Sequence, residues 1–136
     1  MIADTSGLLA LFNRSEPAHD RVRAAVEAAA EPLVVSPYVV AEIDYLVATR
    51  LGVDAELAVL AELAGGAYEL PAIDAADLAA CAEIAARYRD QDIGVADSSL
   101  VVLAHRYGTR SILTLDRRHF EVLRPIDGGR FKIVGG

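Results

Sequence analysis

Five short, mostly apolar segments alternate with longer stretches that carry a helical pattern: residues 1–4, "LVVS" (33–36), "AYELPAI" (67–73), "SILTL" (111–115) and "FKIV" (131–134). This alternation constrains the fold more than any other feature. Short apolar strands have no solvent face and need cover on both sides. A helix between successive strands supplies that cover and the crossover that parallel pairing requires. The expected class is α/β, with helices on both faces of a central, mostly parallel sheet. In such a sheet, strand C-termini and helix N-termini share one edge, and ligands bind at that edge.

The helices announce their own ends. The patterns predict helices over 6–12 and 17–30, the second opened by Pro17. Ser36 reads as an N-cap and Pro37 as the first helical residue of "PYVVAEIDYLVATRLG", which Gly52 ends. Asp54 starts a further helix that stops at Gly65 and Gly66, and Asp74 caps one running to about Asp90. After a break at Gly94, "VADSSLVVLAHRYG" is helical to Gly108, and a short turn of helix follows at 117–123. The 136 residues read as one domain without repeat or linker, large enough for a continuous core.

No apolar run approaches the ~20 residues of a membrane span, and no basic stretch precedes an apolar one at the N-terminus. Cys81 stands alone, and no zinc-ligand set is present. The expectation is a reduced, cytoplasmic protein with no membrane contact. The net charge of −7 argues against a nucleic-acid partner, but its distribution qualifies this. Residues 1–104 hold 6 Lys and Arg against 17 Asp and Glu, whereas residues 105–136 hold 7 against 3. An acidic body with a basic end can still meet a phosphate backbone locally.

Four acids fall where strands end or helices begin. Asp4 ends the first strand, and Asp116 directly follows "SILTL". Asp97 lies in the first turn of the helix that begins near residue 95. Glu42 lies about a turn and a half into the helix capped by Ser36, with its side chain leaning back toward that helix's N-terminus. All four should stand on the ligand-binding edge. Each also has a plain structural reading: Asp97 complements a helix dipole, and Asp116 is a turn or N-cap residue. Glu42 and Asp44 border opposite sides of the apolar face Val39, Val40, Ile43, Leu46 and Val47, so periodicity does not choose between them; nearness to the helix start favours Glu42. Asp92, before Gly94, reads as a loop acid. Thr5, Ser6, Ser98 and Thr114 are placed either to orient the carboxylates or to serve as ordinary caps.

Carboxylates at short range repel, so some protonate or they share a cation. An all-oxygen set without His or Cys suits Mg²⁺ or Mn²⁺, with Asp4 and Asp97 as the expected ligands. Such an ion activates water and stabilises charge on a phosphoryl oxygen, which points to phosphodiester hydrolysis. Arg117 and Arg118 directly follow Asp116 and are the expected contacts to a phosphate backbone at the rim. His119 is in reach as well, while Phe120 reads as a core anchor.

The stretches "MIADTS", "SPYVVAEIDYLV", "DIGVADSSLVVLAHRYG" and "ILTLDRRHF" together resemble PIN-domain ribonucleases, in particular the toxins of VapBC-type toxin–antitoxin pairs. The resemblance runs through essentially the whole chain, in order. It implies a three-layer α/β/α PIN-domain fold and Mg²⁺- or Mn²⁺-dependent RNA cleavage by Asp4, Glu42, Asp97 and Asp116. It also implies a homodimer and a cognate VapB-type antitoxin that covers the site, often with a basic side chain. The implied substrates are tRNAs or the sarcin–ricin loop of 23S ribosomal RNA; "TLDRRHF" and "LRPI" look closest to the mycobacterial-type toxins that attack that loop. Two other enzyme-like classes fit less well. A haloacid-dehalogenase-like phosphatase would carry Asp-x-Asp, and Asp4 is followed by Thr5 and Ser6. A receiver module would end its last strand with Lys, and Lys132 lies inside the final apolar run. A non-catalytic α/β interaction module is the remaining alternative, given a mean hydropathy of +0.31 and the apolar segment "DAELAVLAELA".

Overall fold

The computed structural model describes residues 1–136. Its sheet is parallel, with β1 (Ile2–Ala3), β2 (Ser111–Leu113) and β3 (Lys132–Val134) in that spatial order. Ile2 pairs with Ile112, and Ile112 with Ile133. Beyond β1 the sheet continues through single parallel bridges, Ile2 to Val34 and Val34 to Glu69. All five strand-like segments of the sequence therefore stand side by side.

Two of them are shorter than expected. Segments 33–36 and 67–73 each contribute one bridge, fixed by Ala3 N–H to Val34 O (2.9 Å), Val34 N–H to Met1 O (2.9 Å) and Val35 N–H to Glu69 O (2.8 Å). The reasons are local. Ser36 and Pro37 turn the chain into a helix, and Pro71 has no N–H to continue a ladder. The strand at 111–115 likewise ends its regular pairing at Leu113.

Seven helices connect these strands: α1 (Thr5–Phe12), α2 (His19–Ala28), α3 (Pro37–Leu51), α4 (Val53–Ala64), α5 (Ala75–Arg87), α6 (Val95–Tyr107) and α7 (Arg117–Val122). The predicted caps hold at Ser36, whose hydroxyl accepts from Tyr38 N–H (3.2 Å), and at Asp74, which forms a reciprocal capping box with Asp77. α2 begins at His19, two residues after Pro17, which lies in the preceding turn. α5 ends at Arg87; a 3₁₀ turn (Arg89–Gln91) follows, and Asp92 takes a left-handed conformation at φ 56°.

Successive strand residues face opposite sides of a sheet, and Ile2, Ala3, Ile112 and Leu113 are all fully buried. Both faces are therefore covered, which is the three-layer α/β/α arrangement. α6 is enclosed over seven consecutive residues, Ser98–Ala104, as befits a central helix. Leu8, Val22, Val39, Ile43, Leu100, Leu103 and Phe120 add to the core from α1, α2, α3, α6 and α7, as does Leu123 just after α7. α1 lies so close to β2 that a Cβ on Gly7 would collide with the Leu113 carbonyl. No helix is long and apolar enough to cross a membrane.

Candidate active site

Asp4 leaves β1 with its amide still in the ladder, donating to Leu113 O (2.9 Å). Its carboxylate is buried and carries an organised set of donors. Ser6 Oγ–H and Thr114 Oγ1–H both donate to Asp4 Oδ2, at 3.0 and 2.7 Å. These hydroxyls are themselves held by backbone amides: Leu115 N–H donates to Ser6 Oγ (2.9 Å) and Asp116 N–H to Thr114 Oγ1 (2.9 Å). The first strand, the first helix and the end of the central strand are thereby tied to one carboxylate. Burial pushes the Asp4 pKa up; the bonds from Thr114 and Ser6 offset part of that, and the charge of Glu42 adds to it.

Asp97 stands in the first turn of α6. Its pKa is pushed up to about 6, first by burial and then by the negative charge of Asp4, with His119 opposing and Glu42 and Asp116 adding. Asp116 caps α7 through Oδ1, which accepts from Arg118 N–H (3.2 Å). Its other oxygen faces His119. The His119 Nδ1 lies 3.0 Å from Asp97 Oδ2 and 3.5 Å from Asp116 Oδ2, bridging the two acids. Asp4, Glu42, Asp97 and Asp116 line one open cavity of about 470 Å³, whose wall also includes Thr5, Ser6, Leu46, Arg50 and His119.

The sequence left Glu42 and Asp44 open, and the packing of α3 on α4 separates them. Glu42 lines the cavity. Asp44 turns to Glu56 of α4, where a hydrogen bond between the two carboxyls raises the pKa of Glu56. Asp92 is an exposed loop acid outside the cavity. Ser6 and Thr114 orient a carboxylate through their hydroxyls. Thr5 and Ser98 do not: Thr5 Oγ1 is buried without a partner, and Ser98 Oγ–H bonds back to Gly94 O within α6 (2.8 Å).

The two arginines expected at the rim follow Asp116 outside the cavity itself. Arg117 is committed elsewhere, to Glu121 (3.2 Å) and the Gly136 carbonyl (3.2 Å). The Arg118 side chain is 90% exposed and 3.9 Å from Asp116. Neither lines the cavity; Arg50 and His119 do, so the acid set is not free of nitrogen groups. Arg50 escaped the sequence reading, although it shares a helix face with Glu42 at twice the i,i+4 spacing.

A buried pair of serines, also unseen in the sequence, sets the spacing of the helices that carry Glu42 and Asp97. Ser99 Oγ–H donates to Ala96 O (2.6 Å), so the 2.7 Å contact between Ser36 and Ser99 must run from the Ser36 hydroxyl to Ser99 Oγ. Ser36 Oγ in turn accepts from Tyr38 N–H. A directed chain of hydrogen bonds thus joins the first turn of α3 to the first turn of α6, next to Asp97.

A PIN-domain family model matches residues 1–124. The chain belongs to the PIN-domain family. It is 63% identical over 134 residues to Ribonuclease VapC26 of Mycobacterium tuberculosis (strain ATCC 25618 / H37Rv), covering 98% of this chain and 99% of that one. It is thus a homologue of VapC ribonuclease toxins, which are PIN-domain nucleases and hydrolases. Among solved structures it resembles M. tuberculosis VapC20, described as a sarcin–ricin loop cleaving toxin. The TM-score is 0.78 at 19% identity, over 86% of this chain and 90% of that one. It also resembles FitAcB from Neisseria gonorrhoeae, with a TM-score of 0.55 at 19% identity, over 82% and 84% of the two chains. These two likenesses concern the fold.

Proposed function

We propose that the protein is the toxin of a type II toxin–antitoxin pair, a Mg²⁺- or Mn²⁺-dependent endoribonuclease with Asp4, Glu42, Asp97 and Asp116 as its catalytic acids. One observation carries this reading: four carboxylates from four distant segments line a single open cavity, and burial raises the pKa values of two of them. A protein keeps such a destabilising arrangement where a cation or a reaction uses it.

The donor set fits a hard divalent ion. All four acids offer oxygen, and Thr5 Oγ1 is a further buried oxygen without a partner. Mg²⁺ and Mn²⁺ are commonly held by one or two carboxylates and keep several waters. Asp4 and Asp97 are the ligands in this reading. The bound ion supplies an acidified water and charge stabilisation at the phosphoryl oxygens. The chain supplies the geometry. Ser6 and Thr114 hold Asp4 through Oδ2 and leave Oδ1 free of side-chain donors. The serine chain fixes α3 against α6, and His119 stands between Asp97 and Asp116. Glu42 and Asp116 flank the two ligands and can position or accept a proton from the attacking water.

The substrate is RNA, either a tRNA or the sarcin–ricin loop; the second is what VapC20 is described as cleaving. The partner is a cognate VapB-type antitoxin, with the toxin a cytoplasmic homodimer of single PIN domains. Exposed apolar residues on α3 and α4 — Tyr45, Leu51, Val53 and Leu57 — favour a protein partner on that side. The test is cleavage of total RNA by purified protein with Mn²⁺, Mg²⁺ or EDTA, followed by mapping of new 5′ ends. Cleavage that persists in EDTA, or in Asp4→Asn at the wild-type rate, would refute the mechanism.

A further inference from the structure

We propose that Arg50 is the residue that binds the RNA backbone, at a phosphate flanking the one cleaved. The inference rests on the ribonuclease reading of the cavity and adds a substrate contact to it. A cavity lined by four carboxylates repels a polyanion, so binding requires a positive group that the protein has not already neutralised. The sequence carries 13 Lys and Arg. Four are paired with acids at the surface, Arg106 with Asp77, Arg110 with Asp127, Arg117 with Glu121 and Arg23 with Glu27, and Arg118 stands outside the cavity beside Asp116. Of all 13, Arg50 alone lines the acidic cavity, and it makes no hydrogen bond or ion pair there.

Its position on α3 explains why it stays free. Glu42, Leu46 and Arg50 follow one another at four-residue intervals and form one wall of the cavity. Eight residues of helix separate Glu42 from Arg50 by about 12 Å along the axis. Leu46 lies between them on the cavity wall. Helical side chains lean toward the N-terminus, which turns Arg50 back along the groove toward the acids. A strand with one phosphate at Asp4 and Asp97 can place another phosphate, further along the same cavity, at Arg50. Leu9 and Leu46 offer apolar surface to the sugar or base between them. A guanidinium fork suits phosphate oxygens bidentately and does not titrate.

The experiment uses Arg50→Ala and Arg50→Lys in two backgrounds. In Asp4→Asn protein, binding of an unstructured RNA oligonucleotide is measured across a salt series. Arg50→Ala should weaken binding and lower the slope of log affinity against log salt by about 0.7, the value for one lost contact to a single strand; Arg50→Lys should keep the slope. In the otherwise wild-type protein with Mn²⁺, Arg50→Ala should raise KM more than it lowers kcat, with an unchanged melting temperature. An unchanged salt slope together with an unchanged KM would overturn the assignment. So would a loss of antitoxin binding with RNA binding intact. If the wild-type protein cleaves no RNA with either metal, the ribonuclease reading fails instead, and the salt slope still decides whether Arg50 binds RNA.

Discussion

Replacing Asp97 with Asn should make the metal-free protein more stable at neutral pH and flatten its dependence on pH. An unperturbed Asp titrates near 3.9, whereas burial and the charge of Asp4 hold Asp97 at about 6 in the folded chain. A difference of about two pH units corresponds to ~3 kcal/mol. The side chain keeps 18% of its exposure, so solvent screening reduces the figure to about 1–2 kcal/mol. The sign follows from proton binding. Below pH ~4 both states are protonated and no penalty exists. Between ~4 and ~6 the unfolded chain has lost the proton that the folded chain keeps, so stability falls as pH rises. Above ~6 the full penalty persists. The buried Asp4, also raised, contributes with the same sign. Asn removes the Asp97 share while keeping the size of the side chain. For a chain of this length, 1–2 kcal/mol is roughly 3–8 °C in Tm. Thermal unfolding in EDTA at pH 4.5, 5.5, 7 and 8 reads the effect. A variant no more stable than wild type at pH 7, or equally stabilised at every pH, would refute the reasoning. Added Mn²⁺ should reverse the ranking, since a ligand at 100 times its Kd stabilises the folded state by about 2.7 kcal/mol.

Three further substitutions probe the arrangement around the acids. Glu42→Gln should lower RNA cleavage roughly 10–100-fold while Asp44→Asn stays near normal; the opposite pattern in one cleavage assay would reverse the assignment. Ser99→Ala leaves the buried Ser36 hydroxyl without its acceptor and should cost about 1–3 kcal/mol in urea unfolding. A change below about 0.5 kcal/mol would mean that the serine chain does not hold α3 to α6. Gly7→Ala forces a methyl group against the Leu113 carbonyl and should cost at least about 1–3 kcal/mol; an unshifted unfolding midpoint would show that α1 can retreat from β2 freely.

What the sequence determined by itself is whatever rests on local chemistry. Ser36-Pro37, Asp74 and Gly108 mark helix ends because caps and left-handed glycines act over three or four residues. The alternation of apolar segments with helices implies a parallel sheet. Asp4, Asp97 and Asp116 then reach one edge by topology alone, since strands end and helices begin there. The tertiary structure decided the rest. Glu42 and Asp44 flank the same apolar face, and only the packing of α4, which brings Glu56 to Asp44, turns one acid toward the cavity and the other away. Segments 33–36 and 67–73 have strand composition, but a cap and a proline limit each to one bridge. Ser6 reaches Asp4 from two residues away, but Thr114 reaches it from 110 positions on, a contact that only the pairing of the strands creates. Arg117, which follows Asp116, bonds to Glu121 and to the Gly136 carbonyl, and the second of these is a contact the sequence does not show. Arg50, more than sixty residues before Asp116, lines the cavity with the acids; periodicity shows which residues share a face, and only packing shows what that face meets.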